Sequence, residues 1–143
     1  MQQAPQVSEP GLRFESLQEV RWGDQDALNH VNNTVYFRYI EEARVQLFTR
    51  MGMTLPSERA VVLAHTSLDF LRPVLYPARV RIVIELVRIG RSSLELNNYV
   101  VHETDDTIVY ATGRNVLVAT DLQGASRPWE TEEIESLQQA MQE

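Results

Sequence analysis

Apolar positions recur with two different periods along this chain, and the change of period divides it into elements. From Thr34 onward, Tyr36, Tyr39, Ile40, Ala43, Leu47 and Met51 fall at spacings of three and four, the period of one helix face. Val35, Phe37, Val45 and Phe48 widen that stripe beyond what a helix lying on a surface uses, so the helix is expected to be wrapped by something large. Asn32 or Asn33 can cap its start, and Gly52 is placed to end it. About 18 residues at 1.5 Å each give a rod of roughly 27 Å.

Elsewhere the period is two, the mark of strands. Residues 14–22 read as a first strand with Val20 and Trp22 on one face. Residues 59–70 alternate with Val62, Ala64, Leu68 and Phe70 on one side, and Pro73 and Pro77 then break the chain. Residues 79–89 place Val80, Ile82, Ile84 and Leu86 inward and Arg79, Arg81 and Glu85 outward. Gly90-Arg91 turns into SSLELNNYVVHE, and Asp105-Asp106 turns into TIVYATGRNVLVAT. Hairpin connections of this kind favour antiparallel pairing, and Gly113 inside the last strand predicts a bulge or a strong bend. Ile134, Leu137 and Met141 mark one face of a short C-terminal helix. The order is strand, long helix, then four strands. It predicts an α+β domain in which one curved antiparallel sheet of five or six strands envelops the helix. Residues 1–12 read as a flexible tail and residues 13–143 as a single domain.

Composition narrows the chemistry. The chain has 143 residues, no cysteine and no lysine. Disulfides, Cys-ligated metals, a cysteine nucleophile and a lysine Schiff base are therefore excluded. The net charge is −7, but Glu130, Glu132, Glu133, Glu135 and Glu143 supply −5 of it, leaving −2 on the body. That balance argues against a nucleic-acid partner. The N-terminal MQQAPQVSEPG does not read as a signal peptide, and no apolar run approaches the roughly 20 residues of a membrane span. No membrane partner is expected, and the expected location is cytoplasmic.

The concentrated chemistry lies in RWGDQDALNHVNNTVYFRYIEEAR, residues 21–44, where an acid-rich loop runs directly into the long helix. Unpaired N–H groups at a helix start, with the positive end of the macrodipole, can stabilise a developing oxyanion. A carboxylate facing them can attack a carbonyl carbon or activate a water. A calcium loop started at Asp24 would need glycine at its sixth position and glutamate at its twelfth. Those positions hold Asn29 and Val35. His65 and Asp69, four residues apart on one strand, stand about 13 Å from each other and form no dyad.

This loop-to-helix motif resembles that of the hot-dog-fold acyl-CoA thioesterases of the 4-hydroxybenzoyl-CoA thioesterase type. LDFLRPVLYPARVRIVIELVRIGRSSLEL is similar to the family's later strands, so the resemblance spans residues 14–120. It implies a hot-dog fold and hydrolysis of an acyl-CoA thioester with no cofactor and no metal. By position, Asp26 matches the catalytic carboxylate, and Asn33 matches the helix-start residue whose backbone N–H faces the thioester carbonyl. Asp24 is expected to hold the loop. Some relatives carry histidine or tyrosine at the place of Asn33. This chain instead has His30, as in a GHVNN-like subset, with Asn29 where that subset has glycine; the role of His30 stays open. Arg88, Arg91, Ser92 and Ser93, around the Gly90 turn, are candidate contacts for CoA phosphates, and Tyr36, with Leu63 and Phe70, for the acyl tunnel. The substrate lies at a subunit interface in this fold, which implies a homodimer or homotetramer. Two other functions fit the same fold: a hydratase or dehydratase acting on acyl thioesters, and a non-catalytic acyl-CoA-binding protein.

Overall fold

The computed structural model describes residues 11–54 and 57–142. Of the expected tail, residues 1–10 lie outside that range, while Leu12 is buried and its carbonyl accepts from the Leu86 N–H (3.0 Å). Five strands and two α-helices follow: β1 (Arg13–Glu19), α1 (Asn33–Arg50), β2 (Ala60–Phe70), β3 (Arg79–Ile89), β4 (Ser93–His102), β5 (Val109–Thr120) and α2 (Thr131–Ala140). The strands form one antiparallel sheet in the order β1-β3-β4-β5-β2. This is the α+β hot-dog arrangement, with five strands wrapped around one long helix.

The helix begins and ends where its sequence signals stand. Asn32 caps α1 by accepting from the Thr34 N–H (2.9 Å). Gly52 follows its C-terminus with φ of 83°, the left-handed conformation that glycine adopts without a Cβ penalty. Tyr36, Tyr39, Ile40, Ala43, Leu47 and Phe48 are buried against the inward rows of the sheet, Val80, Ile82, Ile84 and Leu86 among them. The last helix, α2, closes the far end, and the Met141 carbonyl accepts from the Arg13 N–H (3.1 Å).

Three sequence expectations change. The first strand stops at Glu19: Gly23 and Asp24 draw Trp22–Asp24 into a 3-10 turn, and Trp22 is 74% exposed instead of sharing a strand face with Val20. In β2 the pairing with β5 slips between Leu63 and His65, so a bulge at Ala64 exchanges the two faces. Val61 and Leu63, not Val62 and Ala64, therefore lie on the face of Leu68 and Phe70. Gly113 is neither bulge nor bend, since it stays in register with Leu68 and with Asn98. A Cβ there would stand 1.9 Å from the Ser67 carbonyl oxygen, so glycine is required by close approach of backbone.

Candidate active site

The loop between β1 and α1 is anchored at both ends to the segment that precedes β3. The Val20 N–H donates to Ala78 O and the Val31 N–H to Val74 O, each at 2.9 Å. Between these anchors the chain makes a narrow hairpin. Gln25 bridges Val31, the Asp26 N–H donates to His30 O (2.9 Å), and the Asn29 N–H donates to Asp26 O (3.0 Å). Three-residue hairpin loops commonly end on a left-handed residue. Asn29 takes that place with φ of 62°, and asparagine is one of the few non-glycine residues that tolerate it. The substitution of Asn29 for the usual glycine thus preserves the backbone of the turn.

The two aspartates are held differently. Asp24 Oδ2 accepts from the Arg21 N–H (2.9 Å) and from the Tyr39 hydroxyl (2.7 Å), while its carbonyl accepts from the Asn32 N–H (2.9 Å). Burial, and then the bond to Asp24, push the Tyr39 hydroxyl far above its ordinary pKa, so it remains a donor. Asp24 is therefore tied to the helix and to the start of the loop. Asp26 is half-buried. Its Oδ1 accepts the Leu28 N–H (2.9 Å), and Oδ2 has no partner among the described residues.

At the helix start, the Thr34 N–H is taken by Asn32 Oδ1 and the Val35 N–H by Asn32 O. The Asn33 N–H makes no hydrogen bond with any described residue. The bond from the Asn32 N–H to Asp24 O fixes this end of α1 against the loop that carries Asp26. One unclaimed carboxylate oxygen and one unclaimed donor, each on an anchored element, are thus the chemical resources of this end of the sheet. His30 is half-buried, and its carbonyl closes the hairpin.

Tyr36 is 2% exposed, and its hydroxyl accepts from the Val74 N–H (3.2 Å). The Tyr36 ring meets Phe70 edge-on at 5.1 Å, and Phe37 meets the same ring at 6.4 Å. Burial raises the pKa of the Tyr36 hydroxyl above the ordinary tyrosine value. The Arg88–Ser93 group lies elsewhere. β1 pairs with β3 so that Glu19 stands opposite Arg79, which puts the Asp26 loop at the start of β3 and the Gly90 turn at its end. The 11 residues of β3 separate them by about 33 Å. Arg88 and Arg91 are exposed there. Ser92 Oγ accepts from Ser126 Oγ (3.0 Å), and Ser93 O accepts from Trp129 Nε1 (3.0 Å).

One group escaped the sequence reading. Arg44 Nη1 and Asn98 Nδ2 both donate to Asn115 Oδ1 (3.0 and 2.7 Å), and Asn115 Nδ2 donates to Thr66 Oγ1 (2.8 Å). The available signal was an asparagine in each of two inward strand rows that are otherwise apolar or glycine. Among the described residues, no cluster of three or more His, Asp or Glu side chains could hold a metal ion, and no helix is long and apolar enough to cross a membrane.

Comparison with known proteins bears on the family and the fold. The sequence profile of the thioesterase-like superfamily matches residues 20–142. The uncharacterized protein YsmA of Bacillus subtilis (strain 168) is 31% identical over 120 residues, which is 82% of this chain and 80% of that protein. The PA2801 protein of Pseudomonas aeruginosa, provisionally described as a thioesterase, superposes with a TM-score of 0.82 at 33% identity, covering 87% of this chain and 97% of its own. A protein of Xanthomonas campestris provisionally described as an acyl-CoA thioesterase superposes with a TM-score of 0.72 at 28% identity, covering 80% and 97%.

Proposed function

The chain belongs to the thioesterase-like superfamily, and from that membership we propose that it hydrolyses acyl-CoA thioesters to the free acid and CoA. The observation that carries this reading is the combination of Asp26, with a carboxylate oxygen left free, and the unclaimed Asn33 N–H at the start of α1. A thioester carbonyl oxygen accepting from Asn33 gains both that donor and the positive end of the helix, which strengthen as the oxygen takes on charge. Asp26 then acts on the carbonyl carbon in one of two ways. As nucleophile it forms an acyl anhydride and expels the CoA thiolate, and water then cleaves the anhydride. As general base it takes a proton from a water that attacks the same carbon directly. After a single turnover in heavy-oxygen water, solvent label on the Asp26 carboxylate establishes the nucleophilic route, because only an anhydride opened by water at the aspartyl carbon leaves it there.

The CoA part of the reading is supported by the arginines at the Gly90 turn and by the description of the Xanthomonas campestris relative. Its assembly is expected to be a homodimer, or a homotetramer built from two. β2 is an edge strand that exposes Val62, Leu63 and Phe70, and Val45 on α1 is exposed as well. An open apolar edge is a template for pairing with a second copy. Antiparallel pairing of two β2 edges sets the Gly90 turn of one copy at the same end as the Asp26 loop of the other.

Asp26→Asn is the decisive experiment. It should lower steady-state thiol release by orders of magnitude while near-ultraviolet circular dichroism stays unchanged; near-wild-type turnover refutes the assignment. Crotonyl-CoA separates the rival chemistry, since free thiol reports hydrolysis and hydroxyacyl-CoA reports hydration. A protein that only binds acyl-CoA releases neither.

A further inference from the structure

The helix-facing rows of β3, β4 and β5 are apolar except at one place. The inward row of β4 reads Leu94, Leu96, Asn98, Val100, and that of β5 reads Ala111, Gly113, Asn115, Leu117, Ala119. On β2 the corresponding row is Leu63, Thr66, Leu68, Phe70, with Thr66 directly opposite Asn115. Asn98 and Asn115 are both fully buried.

The direction of the hydrogen bonds among these residues is forced. Arginine has donors only, so the Asn115 oxygen must be the atom that faces Arg44, and Asn115 Nδ2 must face Thr66. Asn98 can then offer that oxygen only its own Nδ2, which leaves Asn98 Oδ1 buried with no partner among the described residues. An orphaned buried acceptor is destabilising, and apolar residues in these places would avoid the cost. Thr66 Oγ1 accepts from Asn115, and its own hydrogen has no acceptor among the described residues. Donors therefore run outward from the core and end in a hydroxyl on an exposed residue, polarised by the bonds behind it.

That hydroxyl lies downstream of the proposed site. Asn33, Phe37, Glu41, Arg44 and Phe48 recur at the spacing of one helix face. Phe37 touches Phe70 on β2, and Arg44 touches Asn115 on β5, so this face looks toward the β2 side of the sheet. From Asn33 to Arg44 the helix runs about 16 Å, and from Phe70 to Thr66 the strand runs about 13 Å. An acyl group whose carbonyl rests on the Asn33 N–H can follow this face over the Phe37–Phe70 pair and end at Thr66.

We infer that Thr66, held by the Asn115–Arg44 relay, is a specificity-determining residue that selects medium-length acyl groups carrying a neutral oxygen, hydroxyl or keto, at the far end. The inference rests on the thioesterase reading above. Glu41 stands close enough to oppose the desolvation of the Arg44 guanidinium. The Arg44 guanidinium is directed at Asn115, and the group that meets the acyl end is the uncharged Thr66 hydroxyl, so a neutral oxygen suits the place better than a carboxylate.

The test compares ω-hydroxydecanoyl-CoA with decanoyl-CoA, both in thiol release and in binding measured by calorimetry. The wild type should favour the hydroxylated ester by about tenfold, the size of one well-made hydrogen bond. Thr66→Val should collapse that ratio toward one, and Thr66→Ser, which keeps the hydroxyl, should retain it. A ratio compares two ligands on one protein, so a general loss of active molecules cancels. Absence of a preference in the wild type, or a ratio unchanged in Thr66→Val, overturns the inference. Absence of thiol release overturns the thioesterase reading instead, and the binding ratio is still read in that case.

Discussion

The Tyr39 hydroxyl donates to Asp24 Oδ2 over 2.7 Å, and this one bond joins the second turn of α1 to the loop that carries Asp26. Asp24 also accepts the Arg21 N–H and, through its carbonyl, the Asn32 N–H. Asp24 therefore ties the loop that carries Asp26 to the helix start, alongside the backbone anchors at Val20 and Val31. Tyr39→Phe removes a donor to a charged group in a half-buried place, so it should lower stability by about 1.5–3 kcal/mol in urea unfolding. If the loop geometry matters to the reaction, kcat should fall more than KM rises, because what is lost is alignment and not substrate contact. A stability loss with unchanged kcat would show that the two backbone anchors at Val20 and Val31 position Asp26 alone.

At the opposite end of the sheet, Arg59 carries an acid-sensitive part of the stability. Its guanidinium is almost wholly buried, meets Glu133 through two bonds of 2.7 Å, and also donates to the carbonyls of Arg127 and Pro128. It lies over the Trp129 ring at 5.3 Å. The hydrogen bonds from Arg59 hold the Glu133 carboxyl below its ordinary value of 4.5. A depressed carboxylate contributes stability that is complete above the unfolded value and is lost as pH falls through the folded one. Wild-type unfolding free energy should therefore drop as pH is lowered below about 4.5. Glu133→Ala should cost about 3 kcal/mol near neutral pH, because it leaves a buried guanidinium without its counter-charge. The gap between variant and wild type should narrow in acid, as urea titrations across a pH series will read. A gap independent of pH would mean that the pair does not titrate in this range.

Elements whose determinants are local were legible in the sequence; those set by a partner strand were not. The bounds of α1 follow from Asn32 and Gly52, each acting through its own backbone. The inward face of β2 was misjudged because the bulge at Ala64 is a property of its pairing with β5, and uninterrupted alternation cannot show it. Trp22 looked like a strand residue until the 3-10 turn at Gly23 and Asp24 is seen. The contrast between Asp24 and Asp26 came from the family resemblance, because loop composition alone treats the two carboxylates alike. The polar relay was not, because residues 44, 66, 98 and 115 are brought together only by the strand order β4-β5-β2 under the helix. Taken one at a time, each is an ordinary polar residue.

The same long-range geometry decides how the arginines at the Gly90 turn can serve Asp26. Within one chain, β3 lies between them, about 33 Å of strand. If two copies pair antiparallel along β2, the turn of one copy comes to the end of the sheet where the other carries its Asp26. Arg88 and Arg91 would then bind CoA for the partner's reaction. A subunit-mixing experiment distinguishes the two arrangements. Arg88→Ala with Arg91→Ala in one chain should raise KM with a steep dependence on salt, and Asp26→Asn in another should abolish turnover. Mixed by co-refolding, these chains should regain activity at low acyl-CoA. Random pairing makes about half the dimers mixed, each with one intact site, so about a quarter of the wild-type sites return. If the arginines served the Asp26 of their own chain, every site in a mixed dimer would carry one defect. The rate would then stay at the average of the two variants, which would sink the arrangement across the interface.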